Sequence, residues 1–231
     1  MQTIKKQTWG KNHEYKAYFD DWMERLHMDQ WAALVERIPE QDLTDKVVLD
    51  FGCNRGVSFQ VLHEKRPFLQ GYGIDLDAEA IHIAQERRAE LPVTYQVGDN
   101  IKHLTDSIDI AFSHEVLYLI KDLNDHAQQI FNALKKNGLY YVALSAHANN
   151  PIWQKEKKAF AKELGIEVQD YTLCQITEVF NRQGFTTEVR KFRYDEFLQQ
   201  DYFDYGIGHK TSIIDTLDHY SEYKVLFRFI K

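Results

Sequence analysis

The stretch Val47-Val48-Leu49-Asp50-Phe51-Gly52-Cys53-Asn54-Arg55-Gly56 constrains the fold of this chain more than any other. An apolar run that ends in Asp and a turn of small residues describes a buried strand passing into a helix. A second such run, Gly71-Tyr72-Gly73-Ile74, closes on Asp75. A carboxylate just beyond a buried strand is placed to accept hydrogen bonds from ribose hydroxyls, so the two strand ends frame a pocket of adenosine size.

Apolar runs and amphipathic stretches then alternate. Strands are expected over 46–51, 71–75, 94–97, 108–113 and 138–144, and helices over 57–66, 78–89, 123–134, 153–165 and 173–184. This alternation predicts an α/β fold with a doubly wound, mostly parallel sheet and helices on both faces. Ahead of it, Met23, Leu26, Trp31, Leu34, Val35 and Ile38 recur at helical intervals, which predicts an N-terminal helical cap over 1–43. Asn137-Gly138 predicts a helix stop with the glycine in the left-handed cap position, and Gly165 and Gly184 predict two more. With 231 residues, one domain is expected rather than two.

The turn narrows the ligand. A dinucleotide-binding turn spaces its glycines as G-x-G-x-x-G so that a helix N-terminus holds a pyrophosphate, whereas Gly52 and Gly56 leave G-x-x-x-G. The segment resembles motif I of the class I S-adenosylmethionine-dependent methyltransferases, acidic-x-Gly-x-Gly-x-Gly, with Asn54 at the middle glycine. Asn tolerates a left-handed backbone, so the turn survives the exchange. Leu134-Lys135-Lys136-Asn137-Gly138-Leu139 is similar to the family's Leu-Lys-Pro-Gly-Gly turn, while 186–194 and 223–230 resemble its sixth strand and its antiparallel last strand. The resemblance runs from about residue 46 to 192. It implies a Rossmann-like sheet of seven strands, with a cofactor-binding core over 46–194 and a last strand over 222–231. Between them, 195–221 is longer than a hairpin needs and reads as a late lid insertion carrying Tyr202, Phe203, Tyr205 and His209.

The same resemblance implies S-adenosylmethionine as cofactor, S-adenosylhomocysteine as product, and a set of contacts. Asp50 orders the turn and reaches the methionine amino group, and Gly52, Cys53, Asn54 and Gly56 form the turn itself. Asp75 accepts from the ribose, Leu76 lies against the adenine, and Gly98-Asp99-Asn100 matches the short acidic motif near the adenine amino group. Ser113 supplies a backbone contact to the methionine part. Trp9 and Tyr15, outside strong periodicity, are expected to close over the cofactor. By residue type alone, Asp50 also suits a helix cap, Asp75 a solvated turn, and Gly98-Asp99-Asn100 a plain turn.

Ser113-His114-Glu115-Val116-Leu117-Tyr118 ends the fourth strand, where a doubly wound sheet binds its ligands. It is similar to the family's Glu-Val-Leu-Glu-His stretch, but Tyr118 and Leu119 replace the Glu and His that some relatives use to hold a divalent metal. A metal-independent reaction is therefore expected. His114 is the candidate general base, since imidazole titrates near neutrality; its alternative role is packing against the cofactor. The segment does not match the Asn/Asp-Pro-Pro-Tyr/Phe stretch of amino-methylating nucleic-acid enzymes. Cys53 and Cys174 lie in the wrong segments for the nucleophile of carbon-5 pyrimidine methylation. The expected partner is a small molecule methylated on oxygen or nitrogen, in a pocket with aromatic walls to which His147 and Trp153 are candidate contributors.

Charge agrees. With 35 acidic against 28 basic side chains the formal net charge is -7, which gives no long-range attraction to a nucleic acid. Two cysteines are too few for a disulfide framework, no run approaches the ~18 apolar residues of a membrane span, and no leader pattern opens the chain, so a cytoplasmic location is expected. No sequence feature sets an oligomeric state. Two alternatives are a nucleotide-dependent oxidoreductase on the same sheet and a non-catalytic protein that binds S-adenosylmethionine or S-adenosylhomocysteine.

Overall fold

A computed structural model describes residues 13–198 and 212–231, with residues 13–23, 26 and 163 described by backbone alone. Trp9, the side chain of Tyr15 and most of the expected lid (199–211) lie outside the described residues. The cap is a helix, α1 (His13–Arg37), whose stripe Trp31, Leu34 and Val35 is buried together with Ile38 just beyond its end. The expected alternation follows: β1 (Leu43–Phe51), α2 (Val57–Lys65), β2 (Phe68–Asp75), α3 (Ala78–Arg87), β3 (Val93–Val97), β4 (Ile108–His114), α4 (Leu123–Ala133) and β5 (Leu134–Leu144). Then come α5 (Pro151–Leu164), α6 (Leu173–Arg182), β6 (Thr186–Lys191), α7 (Ile213–Asp218) and β7 (Val225–Ile230).

The described strands form a seven-stranded sheet in the order β3-β2-β1-β4-β5-β7-β6. Pairing is parallel from β3 through β5, while β7 runs antiparallel to both β5 and β6. The chain winds outward from β1 to β3 and then returns to β4 on the other side, so the carboxyl ends of β1 and β4 flank the switch point where such sheets open a crevice.

Side chains alternate across the sheet with period two, and both faces are covered. Val48, Phe112, Tyr141 and Leu226 pack with the stripe of α1 and with Phe59 and Leu62 of α2. Leu49, Ala111, Tyr140 and Phe227 face the other way, onto Ala127 and Ile130 of α4 and Phe180 of α6. Burial on both faces is why β1 and β4 read as continuous apolar runs rather than as alternating ones.

Two expected boundaries are corrected. Helix α4 ends at Ala133, and Leu134 already pairs with Ile108. The left-handed residue is Asn137 (φ 64), not Gly138. The glycine is needed there for close approach, because a Cβ on Gly138 would sit 2.8 Å from the Lys135 carbonyl oxygen. The last strand starts at Val225 rather than 223, after a wide helical turn over His219–Tyr223, and this shift brings Lys224 inside the molecule at 1% exposure.

Candidate active site

The carboxyl ends of β1, β2 and β4 open into a cavity of about 510 Å³, within the size range of small-molecule sites. The turn after β1 builds its floor. Backbone N–H groups of Gly52 and Cys53 both donate to the Ile74 carbonyl, at 2.7 and 3.1 Å, which stitches the turn to the end of β2. Gly52 (φ 85), Asn54 (φ 45) and Gly56 (φ 77) have positive φ, so Asn54 takes the left-handed conformation expected of it. Side chains at either glycine would also collide: a Cβ on Gly52 would lie 2.4 Å from Val116 Cγ2, and one on Gly56 2.4 Å from the Tyr95 hydroxyl.

Asp75 closes β2 and holds the turn from the other side. Its Oδ2 accepts from Asn54 N at 2.8 Å and its Oδ1 from Asp77 N at 2.9 Å, while burial pushes its carboxyl above the usual carboxylate range. Each carboxylate oxygen accepts more than one hydrogen bond, so capacity remains toward the cavity that Asp75 lines. Leu76, Gly98 and Asp99 line it too, with Gly98 N donating to Asp75 O at 2.8 Å.

Asp50 is buried one step behind this floor. Ser58 Oγ donates to its Oδ2, its Oδ1 has no protein partner, and burial raises its pKa to about 7. Cys53 is buried and desolvation pushes its thiol well up, which disfavours the thiolate form.

Three expected contacts do not reach the cavity wall. Asp50 approaches it only through Ser58. The Asn100 side chain accepts from Lys102 N, capping a short turn. Ser113 is fully buried and its Oγ donates to the Phe51 carbonyl at 2.6 Å, tying β4 to β1. His147 and Trp153 are likewise absent from the lining: His147 Nε2 donates to the Tyr223 carbonyl, and Trp153 packs edge-on against Tyr118 and Phe160.

The end of β4 is more elaborate than its sequence suggests. His114 lines the cavity, but its Nε2 lies 2.7 Å from Nζ of the buried Lys224. Glu115, also in the cavity lining, has a left-handed backbone (φ 55), a conformation that costs a non-glycine residue strain. Its carboxylate accepts from Ser145 N and Ser145 Oγ and pairs with Lys224 Nζ at 3.1 Å. These charged-group bonds keep Glu115 below the ordinary carboxylate range despite burial. Desolvation first, and then the Lys224 charge, hold His114 well below the usual imidazole pKa. The Nε2 atom of His114 thus faces the Lys224 amino group rather than open space, an arrangement that opposes proton uptake at that nitrogen.

His27 and Trp31 of α1 line the cavity beside it, with ring centroids 5.2 and 5.7 Å from His114. Neither His27 nor Lys224 stands out in the sequence. The only signal for His27 is that it continues the buried stripe Trp31, Leu34 and Ile38 one turn earlier.

Comparison with known proteins agrees with this geometry. The family described as Methyltransferase domain matches residues 43–202, more than half of the chain. The chain belongs to the class I S-adenosylmethionine-dependent methyltransferases. A trans-aconitate 2-methyltransferase of Rhodopseudomonas palustris is 28% identical over 120 residues, 51% of this chain and 45% of that one. A ribosomal protein L11 methyltransferase of Hamiltonella defensa is 28% identical over 159 residues, 65% of this chain and 49% of its own. The chain thus spans about half the length of the curated relatives it matches. Among solved structures, a chain from the complex of the Haloferax volcanii Trm112 methyltransferase activator with a methyltransferase superposes with a TM-score of 0.75 at 19% identity, over 91% of this chain and 92% of that one. Neighbours of the same fold include complexes with S-adenosylmethionine and S-adenosylhomocysteine.

Proposed function

We propose that this protein transfers a methyl group from S-adenosylmethionine to an oxygen or nitrogen of a small-molecule acceptor without a metal ion. The observation that carries the reading is the coupling of the positive-φ turn Gly52–Gly56 to the Asp75 carboxylate in the wall of one cavity. The fit of the cofactor rests on the donor set: Asp75 suits the ribose hydroxyls, Leu76 and Asp99 the adenine, and the orphaned Asp50 Oδ1 a cationic amino group directly or through water. When bound, S-adenosylmethionine supplies an electrophilic methyl carried by a sulfonium.

The protein's own contribution is to orient and to exclude water. Trp31, Tyr118, Phe160 and Ile166 give the acceptor end apolar walls, which suits a small ligand with a few fixed polar contacts. The donors support the metal-independent part of the reading: Glu115 already pairs with Lys224 and Ser145, and Tyr118 and Leu119 offer no hard anionic ligand. The curated relatives include both a trans-aconitate and a ribosomal-protein methyltransferase; the net charge of -7 and a cavity of small-molecule size favour the small-molecule class.

The test is release of S-adenosylhomocysteine from S-adenosylmethionine with a panel of small carboxylic acids, alcohols and amines, with and without a chelator. Turnover with a small acceptor that survives chelation supports the proposal. Turnover only with a protein or RNA, or only with added metal, contradicts it.

A further inference from the structure

The inner end of the cavity holds two imidazoles edge to face, and their surroundings differ. Lys224 is buried with its Nζ between His114 Nε2 (2.7 Å) and Glu115 Oε1 (3.1 Å), its ammonium 5.2 Å from the centre of the Phe192 ring. A protonated lysine donates three hydrogens and accepts none. Its partner nitrogen on His114 must therefore present a lone pair, and the proton of the neutral ring falls on Nδ1, which is buried without a protein partner. His27 has no such clamp: it lines the cavity and makes no hydrogen bond among the described residues.

We infer that Lys224, anchored by Glu115, is a positioning residue that fixes His114 as the Nδ1–H tautomer, and that His27 is the imidazole that takes the proton of the methyl acceptor. This rests on the methyl-transfer reading above. As the sulfonium C–S bond breaks and the new O–C or N–C bond forms, the O–H or N–H proton of the acceptor passes to His27. The sulfonium becomes a neutral thioether and its positive charge ends on the imidazolium. The groups whose charge His27 feels are Glu24, Glu115 and Lys224. The two carboxylates favour that imidazolium, and Lys224 and burial oppose it, so the resting ring is neutral, with its pKa lowered to about 4. Glu24, one turn before His27, is held at the cavity by Arg55 and Arg87. The acceptor class is therefore one that arrives protonated, a hydroxyl or an amine, rather than one that needs no base.

Two measurements on the whole protein test this without an identified acceptor. In long-range proton–nitrogen spectra of 15N-labelled protein, His114 is expected to carry its proton on Nδ1 from pH 6 to 9, and Lys224→Met to lose that fixed assignment. A wild-type His114 protonated on Nε2 overturns the inference even if the variant fails to fold. Diethyl pyrocarbonate, which attacks free imidazole nitrogen, is expected to modify His27 and spare His114 in wild-type peptides mapped by mass. Reaction at His114 with His27 untouched overturns it. Calorimetry with S-adenosylhomocysteine on the same samples separates the two claims: lost binding with the expected tautomer and modification pattern contradicts the methyltransferase reading alone.

Discussion

Replacing Glu115 by Gln keeps the shape at the end of β4 and removes one charge. The carboxylate now accepts from Ser145 N through both oxygens, from Ser145 Oγ, and from Lys224 Nζ. The amide offers one oxygen and points an N–H₂ group at one of these donors, so at least one bond is lost. The larger effect is on Lys224, which is 1% exposed and loses its counter-charge. Breaking a buried pair by removing one partner costs about 3–5 kcal/mol. For a chain of this size that is a drop of roughly 6–20 °C in Tm. Part of this is avoidable, since Lys224 can shed its proton, and its folded pKa already lies below the ordinary lysine value through desolvation. A depressed lysine pKa means that the unfolded chain binds more protons than the folded one below the ordinary value, so stability rises with pH in that window. The Glu115→Gln deficit is therefore expected to be larger at pH 6 than at pH 9. Urea unfolding of the single variants and of Glu115→Gln with Lys224→Met measures the coupling. The double variant should be more stable than Glu115→Gln alone. A single-variant cost below about 1 kcal/mol, or strictly additive losses, would refute a buried charge pair.

Three further outcomes are expected. Asp75→Ala should weaken S-adenosylhomocysteine binding by about 1–3 kcal/mol, a loss of roughly 5- to 150-fold, with the fold retained; unchanged affinity removes Asp75 from the site. Gly56→Ala places a Cβ at φ 77 and 2.4 Å from the Tyr95 hydroxyl, and should cost about 1–3 kcal/mol in chemical unfolding; a neutral substitution would mean the turn is not strained. Acid should destabilise the protein. His27 and His219 are lowered to about 4 and His126 to about 3, so below pH 6.5 the unfolded chain takes up protons that the folded one refuses. Asp50, raised to about 7, works the other way, as does Asp75, but His114 and His147 are lowered by burial too, and the five imidazoles leave a net loss of stability on going from pH 7.5 to 5.5. Equal stability at the two pH values would contradict the burial of those rings in neutral form.

What the sequence disclosed were features in which chemistry is local. The Gly52–Gly56 turn, Asn54 in left-handed conformation and Asp75 after β2 are readable because backbone sterics and a strand end fix them within a few residues. The sheet was readable because burial on both faces leaves unbroken apolar runs. His114 shows where such reading stops. Its position at the end of β4 puts it at the cavity, yet its surroundings are set by Lys224, 110 positions away, which enters because β7 folds back antiparallel beside β5. A lysine flanking an apolar strand looks solvated in sequence. Where the side chains of Ser113 and Asn100 go is not readable from their strand and turn positions: each bonds a nearby backbone group, Phe51 O and Lys102 N. Asn137-Gly138 marks no helix end, because α4 already stops at Ala133 and the pair's turn chemistry serves the irregular start of β5.

The most direct test of the account is calorimetric titration of the full protein with S-adenosylmethionine and S-adenosylhomocysteine, with a nicotinamide dinucleotide as control. The account predicts micromolar binding of the first two and none of the dinucleotide. Binding of the dinucleotide alone, or no heat with any of the three, would contradict it.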